Sequence, residues 1–147
     1  MPDLPCTATE YLEHANITVR NLDAALHFLQ QALPTWQVRG QGQMDWTGKT
    51  IRWLHLGTAS HYIALQSDGK GATLDWRSHA VGVKHLGIVV PDLATLQVRL
   101  SAAGYAMDHP GGKHPHRRSS YYQVDGLQIE FMQYLSDHTA QRNDYSL

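Results

Sequence analysis

Cysteine is nearly absent. Cys6 stands alone, so no disulfide can form within the chain, and a reducing cytoplasm is the expected compartment. With no activating base in view, Cys6 is also a poor nucleophile. An excess of charge of either sign is missing too. Twelve Lys and Arg against 13 Asp and Glu give a formal net charge of −1, which leaves no electrostatic ground for nucleic acid or an anionic membrane as partner. The single basic concentration, Lys113-His114-Pro115-His116-Arg117-Arg118, is too short for a nucleic-acid footprint. No apolar run approaches the about 20 residues of a membrane span, and the opening Met1-Pro2-Asp3-Leu4-Pro5 has neither region of a signal peptide. The expectation is a soluble intracellular protein.

What the chain does have is a repeat. Glu13-His-Ala-Asn-Ile-Thr-Val-Arg-Asn-Leu22 returns as Lys84-His-Leu-Gly-Ile-Val-Val-Pro-Asp-Leu93, at the fixed offset of 71 positions that separates His14 from His85. Ile17 and Ile88, Val19 and Val90, and Leu22 and Leu93 coincide as well. A repeat of this kind in 147 residues, 42% of them apolar, predicts two copies of one supersecondary unit completing a common core, not two independent domains.

Each half reads as strand, helix, then three strands. In the first module, residues 10–68, Leu12–Val19 is a strand. A helix follows with Asn21 as N-cap, Leu22, Leu26, Leu29 and Leu33 at helical spacing, and Pro34 at its end. Strands are predicted over Trp36–Asp45, Lys49–Gly57 and His61–Ser67. Residues 69–82, rich in Gly, Ser and charge, form the linker. In the second module, residues 83–134, Val83–Val90 is a strand, and Pro91-Asp92 opens a helix carrying Leu93, Leu96 and Leu100 that stops at Gly104. Tyr105–Asp108 begins the next strand, and Arg117–Val124 and Leu127–Tyr134 form a hairpin about Asp125-Gly126. The loop 109–116, with His109, His114 and His116, reads as a flap, and the tail 135–147 as a loosely packed or partner-contacting segment.

Polar residues at matching places inside apolar strands are the candidates for chemistry. Strand alternation sets Glu130 on one face with Gln128 and Met132, opposite Ile129 and Phe131. His14 and His85 occupy equivalent positions in the two opening strands. Two imidazoles and a carboxylate offer N, N and O donors with open positions, suited to Fe, Mn, Ni or Zn. A lone strand histidine is commonly structural; the repeat, which supplies two together with a phased acid, favours ligands. On Ile51–Leu56, Trp53 and His55 share a face, which makes Trp53 a pocket residue and His55 an acid or base near neutral pH, with plain core packing as the competing reading. Tyr62, Tyr121 and Tyr122 are similar candidates, Tyr121 for catalysis and the other two for the substrate pocket.

The two copies of the repeat and the ending Val124-Asp-Gly-Leu-Gln-Ile-Glu-Phe131 resemble the vicinal oxygen chelate superfamily, which includes glyoxalase I, extradiol dioxygenases, fosfomycin-resistance transferases, methylmalonyl-CoA epimerase and bleomycin-binding proteins. The resemblance spans roughly residues 10–134. It implies an α+β fold of two βαβββ modules forming a cupped mixed sheet, a homodimer, a small-molecule substrate, and His14, His85 and Glu130 as ligands of a divalent metal. The chain departs from the pattern at the end of the first module. Superposing His61–Gln66 on Leu127–Met132 puts Ala64 where a fourth ligand would stand, and Gln66, two residues on, faces the same side. Losing that acid disfavours proton-shuttling isomerases and leaves dioxygenase, transferase or lyase chemistry on adjacent oxygens. The rival class is a binding protein of the bleomycin-resistance type, which holds a ligand without reaction.

Overall fold

The computed structural model describes residues 10–147, so Cys6 and the Met1–Pro5 segment lie outside the described residues. The chain divides into two compact units that meet in sequence at Gly71 and Ala72. Each unit carries one four-stranded mixed sheet, and both follow the α+β plan of repeated βαβββ modules that the sequence predicts.

The first unit runs β1 (His14–Thr18), α1 (Leu22–Ala32), β2 (Gln37–Trp46), β3 (Lys49–Gly57) and β4 (Tyr62–Gln66). The sheet order is β1-β4-β3-β2, with β1 parallel to β4 and the other pairs antiparallel. Helix α1 starts where the Asn21 side chain accepts the Ala24 N–H at 2.9 Å. It buries Leu22, Ala25, Phe28, Leu29 and Ala32, while Leu26, expected in the buried stripe, is only half-buried. Phe28 takes its place in the buried stripe, between Ala25 and Ala32 on the same face. Opposite pairs Leu54 with Leu65 and Leu56 with Ile63 supply the apolar face of the sheet. Gly57 is required by packing, since a Cβ there would sit 2.1 Å from the His61 carbonyl oxygen.

The second unit repeats the plan with β5 (Leu86–Val89), α2 (Leu93–Ala102), β6 (His109–Pro110), β7 (Arg117–Val124) and β8 (Leu127–Tyr134), in the order β5-β8-β7-β6. Asp92 caps α2 by accepting the Thr95 N–H at 3.1 Å, and Gly104, at φ +89°, ends it in a conformation few other residues adopt. Leu93, Leu96 and Leu100 are buried, together with Tyr122, Ile129 and Phe131. The β7–β8 turn holds Asp125 and Gly126 at φ 48° and 81°, the double positive pair a two-residue hairpin needs.

Three expectations are corrected here. The opening strand begins at Leu86 and not at Val83, so His85 directly precedes β5. Tyr105–Asp108 is not a strand; the strand is the two residues His109–Pro110, flanked by hydrogen bonds from the Asp108 N–H to the Tyr121 carbonyl and from the Gly111 N–H to the Ser119 carbonyl, each 2.8 Å. The tail carries a short helix the sequence did not predict, α3 (Thr139–Arg142), with no buried residue; Arg117 Nη1 donates to the Arg142 carbonyl at 2.9 Å and the Arg142 guanidinium lies 4.0 Å from the Tyr134 ring centre.

Among the described residues one buried side-chain polar atom is left over. Ser120 Oγ is enclosed on the core face of β7 without a hydrogen-bond partner. Ser120→Ala is therefore expected to leave stability unchanged or raise it by about 1 kcal/mol, because an unsatisfied hydroxyl is replaced by an apolar group of similar size. A urea midpoint below that of the wild type would contradict this.

Candidate functional site

In the second unit, register builds the site. Glu130 on β8 lies opposite Tyr121 on β7 and beside Gly87 on β5, and His85 enters from the residue before β5. His85 Nε2 is 3.2 Å from Glu130 Oε2, with Glu130 mostly buried and His85 half-exposed. Two donors bound to one ion at about 2.1 Å and roughly right-angled to tetrahedral directions stand about 3.0–3.4 Å apart, so this pair fits two neighbouring coordination positions. The Tyr121 ring meets His85 edge-on, centroids 5.4 Å apart. Burial first, and then hydrogen bonding and repulsion from the Glu130 carboxylate, push the Tyr121 phenol from 10.0 up to about 12. At neutral pH it can donate a hydrogen bond but cannot serve as a base.

Three neighbours were not legible as site residues. His109 pairs with Tyr121 in register and stacks on it, 4.3 Å between centroids at 9°, and Trp76 from the linker stacks on His109 at 4.9 Å. Asp108 Oδ2 lies 2.8 Å from His109 Nδ1, and that hydrogen bond, more than any other contact, holds the carboxyl below its usual range. His109 is thus a strand residue and not part of a flap. The His114-x-His116 pair is internally engaged: His114 Nδ1 accepts the His116 N–H at 3.1 Å and Nε2 lies 3.0 Å from the Asp144 carbonyl. A strand running from Asp108 into His109-Pro110 opposite Tyr121 would have flagged His109; nothing in the sequence marks Trp76.

The first unit has the same register with different residues. Ala64 lies beside Asn16 and opposite His55, as Glu130 lies beside Gly87 and opposite Tyr121. Alanine therefore stands at the place of the glutamate, and His55 at the place of Tyr121. His14 stacks on Tyr62 at 4.6 Å, Tyr62 on His55 at 4.7 Å, and Trp53 tilts against His55 at 5.0 Å. The Arg39 guanidinium lies 4.3 Å from the Tyr62 ring centre. Burial, then the positive charge of Arg39 and the neighbouring His14, pull the His55 pKa below 6.5, so its imidazole is neutral at physiological pH. Gln66 sits opposite Trp53, two residues beyond Ala64 on the same face.

Tyr122 is corrected from pocket to core. It lies opposite Ile129 at 2% exposure and meets Phe131 edge-on at 5.9 Å, because strand alternation turns it away from the face of Tyr121. Of the three candidate ligands, His85 and Glu130 are adjacent and His14 belongs to the first unit. Among the described residues no three His, Cys, Asp or Glu side chains form a ready donor cluster.

The raised Tyr121 pKa has a measurable consequence. In metal-free protein, phenolate absorbance is expected to show one tyrosine ionising near pH 12, and Glu130→Gln should move it back toward the ordinary 10.0. Because the folded value is raised, the associated stability is intact below pH 10 and is lost as pH climbs from 10 toward 12. Full tyrosine titration near 10 would refute the assignment.

Comparison with known proteins places this geometry. The chain shares its fold with a glyoxylase/bleomycin resistance protein/dioxygenase domain from Frankia sp. EAN1pec, at TM-score 0.70 and 22% identity over 93% of this chain and 100% of that one. A glyoxalase family protein from Bacillus cereus aligns at TM-score 0.69 and 17% identity, covering 90% and 99% of the two chains. A mutant of the fosfomycin resistance protein FosX from Listeria monocytogenes, in complex with Mn(II) and 1S,2S-dihydroxypropylphosphonic acid, aligns at TM-score 0.65 and 18% identity over 93% and 100%. No curated protein matches the chain by sequence. No helix among the described residues is long and apolar enough to cross a membrane. The family model of the Glyoxalase/Bleomycin resistance protein/Dioxygenase superfamily matches residues 11–131, and the chain belongs to that superfamily.

Proposed function

We propose that this protein is a metal-dependent enzyme acting on a small molecule with adjacent oxygens, with His14, His85 and Glu130 as the ligands of an Fe, Mn, Ni or Zn ion. The observation that carries the reading is the 3.2 Å approach of His85 Nε2 to Glu130 Oε2, an N and an O donor at the spacing of neighbouring ligands. The ion would supply Lewis-acid polarisation of the substrate oxygens. The chain's own groups supply the rest. Tyr121, held protonated, has one O–H, and turning it from the Glu130 carboxylate would let it donate to a developing oxyanion. His55, held neutral, is the available proton acceptor. Trp53, Tyr62 and Gln66 contribute to the substrate pocket.

Ala64 removes a carboxylate from the first unit and with it the group a proton-shuttling isomerase would use, so dioxygenase, transferase or lyase chemistry is the preferred class. The Mn(II) and dihydroxy compound bound by FosX support a vicinally oxygenated substrate. The protein is further inferred to be a cytoplasmic homodimer. A second reading, sequestration of a small ligand without reaction, draws on Ala64 alone. Metal analysis of protein purified without added metal separates the two: one equivalent per chain, reduced by His85→Ala, supports the enzyme, whereas metal-free protein at neutral pH supports sequestration.

A further inference from the structure

We propose a second ligand site in the second unit, a cleft that binds the phosphoryl group of a small metabolite. The cleft is an open depression of about 340 Å³ between the first turns of α2, the loop after β6 and the start of β7, lined in part by Gln97, Lys113, Arg117, Arg118 and Ser119. It gathers most of the chain's single basic concentration onto one concave surface. None of His85, Tyr121 and Glu130 lines it, and the proposal stands apart from the metal reading.

The lining is rich in donors and contains no carboxylate. Gly111 donates its N–H to the Ser119 carbonyl at 2.8 Å, and a Cβ at Gly111 would come within 2.0 Å of Ser119 Oγ, so a larger residue would have to turn that hydroxyl aside. The next two N–H groups, of Gly112 and Lys113, find no acceptor among the described residues. Arg118 is aimed by Gln133, whose Oε1 accepts from Nε at 3.1 Å and Nη2 at 3.0 Å while also accepting the Leu93 N–H at 2.9 Å. One amide oxygen thereby fixes the guanidinium to the start of α2. Arg117 spends Nη1 on the Arg142 carbonyl.

The acids nearby are committed elsewhere. Asp92, which feels Arg118, caps α2 through the Thr95 N–H and Oγ1. Asp144, which feels His114 and His116, accepts from Ser146. Arg117, whose guanidinium is spent on the Arg142 carbonyl and on the Tyr145 ring, faces away from Arg118 by strand alternation. The Lys113 ammonium, the remaining N–H groups of Arg118 and the amides of Gly112 and Lys113 still exceed what the two oxygens of a carboxylate can accept, but they match a tetrahedral dianion. The volume, at the lower end for ligand pockets, is enough for a phosphoryl group and a small attached moiety.

The test is an NMR titration of the full chain, stripped of metal with a chelator, at constant ionic strength with chloride exchanged for inorganic phosphate. Saturable shifts are expected at the amides of Gly112, Lys113 and Ser119. Lys113→Ala should weaken binding roughly tenfold, the loss of one charge-assisted contact. Arg77→Ala, at an exposed arginine outside the cleft, should leave it unchanged. Acetate should bind more weakly than phosphate. Linear shifts spread over the surface, an unaltered Lys113→Ala variant, or acetate binding as tight as phosphate would each overturn the proposal.

Discussion

Glu130→Gln is expected to lower affinity for Mn(II) by about two orders of magnitude or more while the protein stays folded. Glutamine keeps the shape and one oxygen but removes the anionic donor, and the neighbouring His85 loses the carboxylate now 3.2 Å from its Nε2. Even partners one step removed from a metal change affinity by about 10–100-fold, so Glu130, in the direct-ligand role proposed for it, belongs at the upper end of that range or beyond. That loss corresponds to about 2.7 kcal/mol of binding free energy. Titrating Mn(II) against wild-type and variant protein, with free ion followed by electron paramagnetic resonance, measures it directly. An unchanged dissociation constant would leave Glu130 as a hydrogen-bonding partner of His85 and Tyr121 and would remove the support for metal dependence.

The elements that carry this site were readable from sequence to different degrees, for physical reasons. The hairpin Arg117–Val124 and Leu127–Tyr134 was readable residue by residue, because Asp125-Gly126 demands a tight turn and the flanking alternation fixes which side chains face which way. The pairing of Glu130 with Tyr121 and of Ala64 with His55 is a matter of cross-strand register, which the structure supplies and alternation along one strand does not. Tyr121 and Tyr122 are both site candidates by sequence; the register of β7 against β8 decides between them and sends Tyr122 to the core. Trp76 was not readable, since its segment has no periodicity and its position depends on a stacking contact with His109. His109 was missed because Gly and Pro around it suggest a loop, whereas two residues suffice for the short pairing with β7. Local patterns specify faces and turns; contacts made by irregular segments are set by tertiary packing, which no local pattern encodes.

Phe131→Ala carries the largest expected loss of stability. Phe131 is fully buried at the centre of the second sheet, with Ser120 opposite on β7, Ile88 beside it on β5 and Tyr122 edge-on at 5.9 Å. Truncating a phenylalanine so enclosed leaves a cavity that the flanking strands cannot close, at about 3–5 kcal/mol. With a urea dependence of about 1–3 kcal/mol per molar, the unfolding midpoint should fall by about 1 M or more. Val89→Ala, at 59% exposure on β5, should shift it by less than about 0.5 kcal/mol. Phe131 and Glu130 are neighbours on β8 that face opposite ways, so their substitutions should act on different properties. Phe131→Leu, which keeps much of the buried volume, should retain metal affinity at reduced stability, whereas Glu130→Gln should keep the urea midpoint and lose the metal. If instead Phe131→Leu abolished Mn(II) binding in protein that remains folded, the 3.2 Å pairing of His85 with Glu130 would depend on core packing beneath β8 and not on strand register alone.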